Sequence, residues 1–236
     1  MIMTFEELRK ELIQIKNMGF IRTHRSGQTG IGKTLEDLLG IEENNIPGPN
    51  AMGTIEIKSA RKNSKSMITL FTKSPLPEGV NSLLLEKFGY FLPEKQKKIL
   101  HTTVNALGFN TIKGKCAFKI NVGEDRLDLV EFKDGIVAYW NEEVLKNSFE
   151  RKIKKLLYVK AEARGKGNEE EFWYNEAYLL KNFSFENFKR LIKKGIILID
   201  IRIGQYSDGR THDHGTAFRI FPDKLDLCFQ YRESIF

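Results

Sequence analysis

The sequence predicts an α/β fold in which a mixed central β-sheet is flanked by helices. Three observations point to it. Amphipathic stretches of helical period are interspersed with short β-branched runs. Hydrophobic residues make up 41% of the 236 residues, enough for a buried core. The order of these stretches lacks the regular strand–helix rhythm of a doubly wound nucleotide-binding sheet. A chain of this length forms one large domain or two lobes.

Thr4 and Glu7 form a capping-box pattern, and Phe5, Leu8, Leu12 and Ile15 recur at helical spacing, so residues 4–17 are expected to be a helix ending at Met18-Gly19. A polar, glycine-rich stretch follows, then a short helix over residues 33–39 that stops at Gly40. A Pro/Gly/Asn loop over 44–53 leads into a strand at Glu56-Ile57-Lys58. After a charged turn, residues 66–72 read as the next strand, and the two are expected to pair as a hairpin. Residues 74–99 form a proline-punctuated excursion with a short helix near 83–88. Strands are expected at 118–122, 126–132 and 135–139, a helix at 140–155 and a strand at 156–164. Gly165-Lys166-Gly167 marks a turn and an approximate boundary between lobes 1–164 and 165–236, with interleaving left open. A helix at 183–194, an apolar run at 196–203, a polar loop at 204–215 and a strand at 218–221 complete the reading.

The net charge of +7 favours a polyanionic partner, nucleic acid being the simplest. A basic protein that is merely soluble is the bland alternative. Cys116 and Cys228 are too few for a disulfide framework or a zinc knuckle, which suits a reducing cytosol. The N-terminal stretch has no apolar signal-peptide core, and no apolar run approaches the roughly 20 residues that span a bilayer. The expected location is therefore the cytoplasm, with no membrane partner.

Gly27 to Thr34 fits the pattern GxxxxGK[ST] at every position, and Ile196 to Asp200 resembles a Walker-B strand. The pattern has meaning only after a buried parallel strand and before a substantial helix. Here Ile21-Arg22-Thr23-His24-Arg25 is too charged for such a strand, and the following helix is short. A nucleotide hydrolase is the weaker reading. A tight turn into a helix N-terminus, or a turn whose N–H groups and Lys33 meet a nucleic-acid phosphate, is the stronger one.

Alternation along a strand puts Glu56 and Lys58 on one face and Ile55 and Ile57 on the other. A carboxylate beside an ammonium on a rigid strand can bind a hard cation and position a water, the needs of phosphodiester hydrolysis. Glu36, one turn into the short helix, is a further acid for the same site. Taken alone, Glu-x-Lys is a common solvated strand face with a weak ion pair.

The neighbouring blocks add specificity. They are Thr29-Gly30-Ile31-Gly32-Lys33-Thr34-Leu35-Glu36-Asp37-Leu38-Leu39, Ile55-Glu56-Ile57-Lys58, Leu70-Phe71-Thr72-Lys73-Ser74-Pro75, Asp200-Ile201-Arg202-Ile203-Gly204 and Thr211-His212-Asp213-His214-Gly215-Thr216-Ala217-Phe218-Arg219-Ile220. With these blocks in this order, the chain resembles the MvaI/BcnI restriction endonucleases, in the MutH-like branch of the PD-(D/E)XK nucleases, over most of its length. The resemblance implies a restriction-endonuclease-like sheet with a mainly catalytic lobe and a mainly DNA-recognition lobe forming a cleft for DNA. It implies a monomeric, Mg²⁺-dependent enzyme that cuts double-stranded DNA at a short near-palindromic site such as CCNGG, read as CCWGG or CCSGG, nicking the strands in turn. A cognate DNA methyltransferase is then its genetic partner. By similarity Glu56 and Lys58 are catalytic, position 50 and Glu56 are the metal ligands, and Glu36 is the supporting helix acid.

Asn50 is a departure, because the family has aspartate there. An amide keeps the shape and one acceptor oxygen but loses the charge that Mg²⁺ prefers. The chain is therefore expected to bind its site and cleave it poorly. Either an introduced Asp→Asn exchange or a naturally weak nuclease would account for it. A catalytically inactive DNA-binding protein and a MutH-like nicking enzyme of mismatch repair are the alternatives.

His212 and His214 could suggest a metal site, but no third ligand is apparent nearby in the sequence. The resemblance assigns this segment to base reading, and the chemistry agrees: Arg and His donors meet guanine O6 and N7, and an acid accepts from cytosine N4. The base-reading candidates are Asp200, Arg202, Tyr206, His212, Asp213, His214 and Arg219. Lys33, Arg61, Lys62, Lys65 and Lys73 are the phosphate candidates.

Overall fold

The computed structural model describes residues 4–41 and 55–236, so Asn50 lies outside the described residues. It is a mixed α/β protein with several sheets rather than one central sheet. The chain divides into two compact units that interleave along the sequence: residues 1–66, 151–183 and 229–236 form the first, residues 67–150 and 184–228 the second. The Gly165–Gly167 turn lies inside the first unit, where it joins two adjacent strands.

In the first unit, the strands Ile21–Arg22, Glu171–Lys181, Lys155–Arg164 and Glu56–Arg61 lie side by side in that order, and Tyr231–Ser234 also pairs with Glu171–Lys181. Glu56–Arg61 runs parallel to Lys155–Arg164, with Glu56 opposite Leu156 and Lys58 opposite Tyr158. The other pairings are antiparallel, so this sheet is mixed. The helices Phe5–Asn17 and Gly30–Leu38 share its core: Leu8, Leu12, Ile15, Ile31 and Leu35 pack with Ile55, Ile57, Leu157, Val159, Phe172 and Tyr174. The capping box forms as expected, the Glu7 N–H donating to Thr4 Oγ1 while the Thr4 N–H donates to Glu7 Oε2.

The hairpin expected between the Glu56 strand and residues 66–72 does not form. The strand Ile68–Thr72 pairs instead with Ala217–Ile220 in the second unit. The intervening segment, Lys62 to Met67, has no glycine to supply the left-handed residues of a tight hairpin turn. The longest strand, Glu171–Lys181, was not anticipated. Its polar and aromatic residues are mixed closely enough to blur the two-residue period.

The second unit is built on an antiparallel sheet with the order Ile68–Thr72, Ala217–Ile220, Ile197–Gln205, Lys97–Val104, Tyr90–Leu92, and Thr211–Asp213 pairs with the far end of Ile197–Gln205. A three-stranded sheet (Phe118–Val122, Arg126–Glu131, Gly135–Asn141) and the helices Val80–Phe88 and Phe185–Lys193 complete it. The helix Glu142–Lys152 carries the chain back into the first unit. Phe71, Phe188 and Phe218 form an aromatic cluster in the core, with ring centroids 4.8–5.4 Å apart. Among the described residues no helix is long and apolar enough to cross a membrane.

Candidate active site

The P-loop reading fails on four counts. The strand before the glycine-rich segment has two residues and pairs antiparallel at a sheet edge. The helix begins at Gly30, inside the supposed loop, and is nine residues long. Thr34, which would have to reach a metal, is fully buried, and its hydroxyl accepts the His24 N–H. The Walker-B look-alike lies in the antiparallel sheet of the second unit. The glycines have a packing role instead. A Cβ on Gly30 would stand 2.1 Å from the Arg25 carbonyl oxygen. Only glycine lets the 23–25 segment lie against the start of this helix.

That packing aims the helix. Ile31, Thr34 and Leu35 face the core, and the Tyr174 hydroxyl donates to the Ile31 carbonyl at 2.7 Å. Lys33, Glu36 and Asp37 are thereby left on the other side. Lys33 Nζ lies 2.6 Å from Asp37 Oδ1, and His24 Nδ1 lies 2.9 Å from Asp37 Oδ2. The Lys33 ammonium, followed by His24, holds the Asp37 carboxyl below the usual range. Glu36 and Lys33 line a cavity of about 320 Å³ together with Lys58 and Ser59 of the Glu56 strand. The structure therefore brings Glu36 and Lys58 to one cavity.

Glu56 is the unusual residue of this region, a carboxylate only 2% exposed. Lys58 Nζ lies 2.6 Å from its Oε1. Its Oε2 is buried and accepts no hydrogen bond. Lys152 Nζ, at the end of the Glu142–Lys152 helix, lies 3.8 Å from that oxygen. Sequence reasoning missed Lys152, because nothing distinguishes it within the basic run Arg151 to Lys155. A buried carboxylate with an open oxygen is costly unless something fills that valence. A hard divalent cation suits it, since such ions take oxygen ligands. The residues present thus fit a Mg²⁺ ligand at Glu56. No group of three metal-ligating side chains occurs among the described residues.

The phosphate candidates differ in availability. Arg61 closes its guanidinium on Glu170, with both N···O distances 2.7 Å. Lys62 bridges Glu176 at 2.9 Å and Glu162 at 3.2 Å. Lys65 is exposed, and Lys73 is half-buried with its backbone tied to Thr216 and Trp140.

In the second unit, the recognition candidates from Asp200 to Arg219 cluster on the strand Ile197–Gln205 and its partners. Asp200 has no exposed surface. Its Oδ1 accepts from the Thr103 hydroxyl at 2.9 Å, and its Oδ2 takes both Arg202 Nε at 2.9 Å and Arg219 Nη1 at 3.0 Å. Asp213 is engaged in the same way, accepting from Ser74, Asn81 and the Gly215 N–H at 2.6–2.9 Å. Tyr206 Oη lies 2.6 Å from His212 Nδ1, and the His212 and His214 rings meet edge-on at 4.2 Å. Gly204 leaves room for His214, since a Cβ there would stand 3.2 Å from its Nε2. Behind it His101, which sequence reasoning missed, crosses the His214 ring at 6.3 Å with its Nε2 buried and unpartnered. Burial, then Arg202, lowers the His101 pKa; burial, then His212, lowers that of His214.

The comparisons with known proteins agree with one another. The MvaI/BcnI restriction endonuclease family model matches residues 9–229. The solved structure described as a restriction endonuclease MvaI–cognate DNA substrate complex is similar at 35% identity and a TM-score of 0.85, over 99% of this chain and 100% of that one. The structure of MvaI in the absence of DNA, also 35% identical and covered in full on both sides, gives a TM-score of 0.58. No curated protein sequence matches. On this evidence the chain belongs to the MvaI/BcnI family of restriction endonucleases.

Proposed function

We propose that this chain is a Mg²⁺-dependent, site-specific nuclease of duplex DNA whose chemistry resides in the first unit and whose base reading resides in the second. The observation that carries the proposal is the open Oε2 of buried Glu56, with Lys58 on the other oxygen. When bound, Mg²⁺ supplies positive charge against the scissile phosphate and the leaving oxygen. Glu56 would hold the ion, and Lys58 would orient the attacking water while keeping the Glu56 carboxylate in place. Glu36, which lines the same cavity as Lys58, accepts hydrogen bonds from that water or its neighbours. Lys152 neutralises part of the Glu56 charge.

In the second unit, Arg202, Arg219, His212, His214 and Tyr206 are the residues that meet base edges. Buried Asp200 acts through Arg202 and Arg219 by fixing the direction of both donors, and Asp213 holds the loop that carries His212 and His214 through Ser74, Asn81 and the Gly215 N–H. The target is a CCNGG-type site, and the enzyme works in the cytoplasm beside a cognate methyltransferase. It acts as a monomer that turns round between two nicks.

Asn50 favours a second reading, a chain that binds its site and scarcely cuts. Short duplexes carrying CCWGG or CCSGG, incubated with this chain and with its Asn50→Asp form in Mg²⁺, test both readings. The expected result is equal binding and much faster cleavage by the aspartate form, with a nicked intermediate at limiting enzyme. Equal slow rates would leave only the binding protein. Concerted cutting of both strands would mean a dimer.

A further inference from the structure

A second cavity, of about 650 Å³, is built wholly from the second unit. Lys87, Phe88, Gly89 and Tyr90 form one wall. The Thr111–Ile112/Lys115–Cys116 hairpin and Glu131-Phe132-Lys133 form the others. It is large enough for a drug-sized ligand.

Its charge is one-sided. Glu131 is buried, and its Oε2 is taken by the N–H groups of Lys133 and Asp134 at 2.7 Å each. Lys87 is paired with Asp134 at 3.1 Å. Among the described residues, no ion pair engages Lys113, Lys115 or Lys133. Lys113 sits at the hairpin tip with φ +49°, a left-handed conformation uncommon for a lysine, and its ammonium lies 4.6 Å from the centre of the Tyr90 ring.

The apolar side is aromatic. Phe132 is 57% exposed and is steadied by an edge-on contact with Phe109, centroid to centroid 5.3 Å. An exposed, braced ring beside unpaired ammonium groups is the pairing that stacks a base and holds its phosphates.

We propose that this cavity binds a nucleotide, either free or as one unit of a nucleic-acid strand, its phosphates on Lys113, Lys115 and Lys133 and its base on Phe132. The site is independent of the Glu56 centre and of the residues 200–219 that read the target.

Cys116 supplies the assay. It is exposed on the cavity wall, whereas Cys228 is buried and its thiol pKa is raised to about 12. The rate of maleimide labelling of Cys116 in the full chain is measured at constant ionic strength with ATP, pyrophosphate, adenosine, or a duplex lacking the target. Saturating nucleotide is expected to slow labelling about tenfold at ten times its Kd, with adenosine far weaker. The Lys113→Ala/Lys115→Ala/Lys133→Ala variant loses this protection, and Phe132→Ala loses it for ATP while keeping it for pyrophosphate. Protection by the duplex but not by ATP identifies the strand as the source. No protection by either, or equal protection by sulfate, overturns the proposal. Target binding through Arg202 and Arg219 is measured separately, so this result stands apart from the nuclease reading.

Discussion

Two sites hold their acids in opposite ways: the Glu56 region of the first unit and the Asp200–Arg219 region of the second. In the first, Glu56 is buried with one oxygen on Lys58 and the other without a hydrogen-bond partner. In the second, Asp200 and Asp213 have both oxygens engaged by side chains and backbone amides. At Glu56 the unfilled valence leaves room for a ligand, whereas at Asp200 and Asp213 the engaged oxygens hold their neighbouring side chains still.

The largest effect should come from the unfilled acid. In the Asn50→Asp form, Glu56→Gln should abolish cleavage, a loss on the order of 10³-fold or more, while target binding in Ca²⁺ persists. If cutting survives, the open oxygen is not a ligand and the contrast breaks. Asp200→Asn should come next. It leaves Arg202 and Arg219 without their shared anchor and should cost roughly 3 kcal/mol of folding stability by urea titration, with discrimination between sites reduced. A stability change without any change in discrimination would show that Asp200 serves only the fold.

A smaller effect separates the two kinds of DNA contact. Arg202→Ala should cost about 1–3 kcal/mol at one base position and relax specificity there, whereas Lys65→Ala should weaken all sequences alike and lower the salt slope by about 1. A panel of duplexes differing by one base pair, titrated at several salt concentrations, distinguishes them.

The smallest effect concerns pH. Hydrogen bonds from Lys62, then Lys160, hold the Glu176 carboxyl down at about 2, against an ordinary 4.5. The folded value lies below the unfolded one, so this stabilisation is whole above 4.5 and fades as pH falls toward 2. Glu176→Gln should flatten that part of the stability profile by no more than about 1 kcal/mol, the residue being partly exposed. An unchanged profile would mean that the carboxylate gains nothing from its two lysines.

Local features of the site were legible in the sequence, and long-range ones were not. Alternation put Glu56 and Lys58 on one face and Ile55 and Ile57 in the core, which is where they lie. The amphipathic period of Phe5, Leu8, Leu12 and Ile15 gave the first helix almost to its ends. By contrast, the parallel partner of the Glu56 strand begins at Lys155, and no local signal connects segments so far apart. The expected hairpin was the nearest pairing in sequence, and tertiary packing overrode it. The same distance hid Lys152 and Thr103, each of which acquires its meaning only from the acid it approaches. The sequence makes Asp200 a base-reading candidate, and the structure buries it completely. Its burial among Ile199 and Ile201 was implicit in the apolar run around it.

The interleaved order of the chain has a consequence for its synthesis. A nascent polypeptide emerges from its N-terminus and acquires structure as segments appear. Among the described residues, the strand bearing Glu56 has no strand partner until Lys155–Arg164 has been translated, and Tyr231–Ser234 joins the same sheet later still. A molecule that ends before residue 155 lacks the strand partner of Glu56–Arg61, so the acid and its lysine are not yet fixed on a paired backbone.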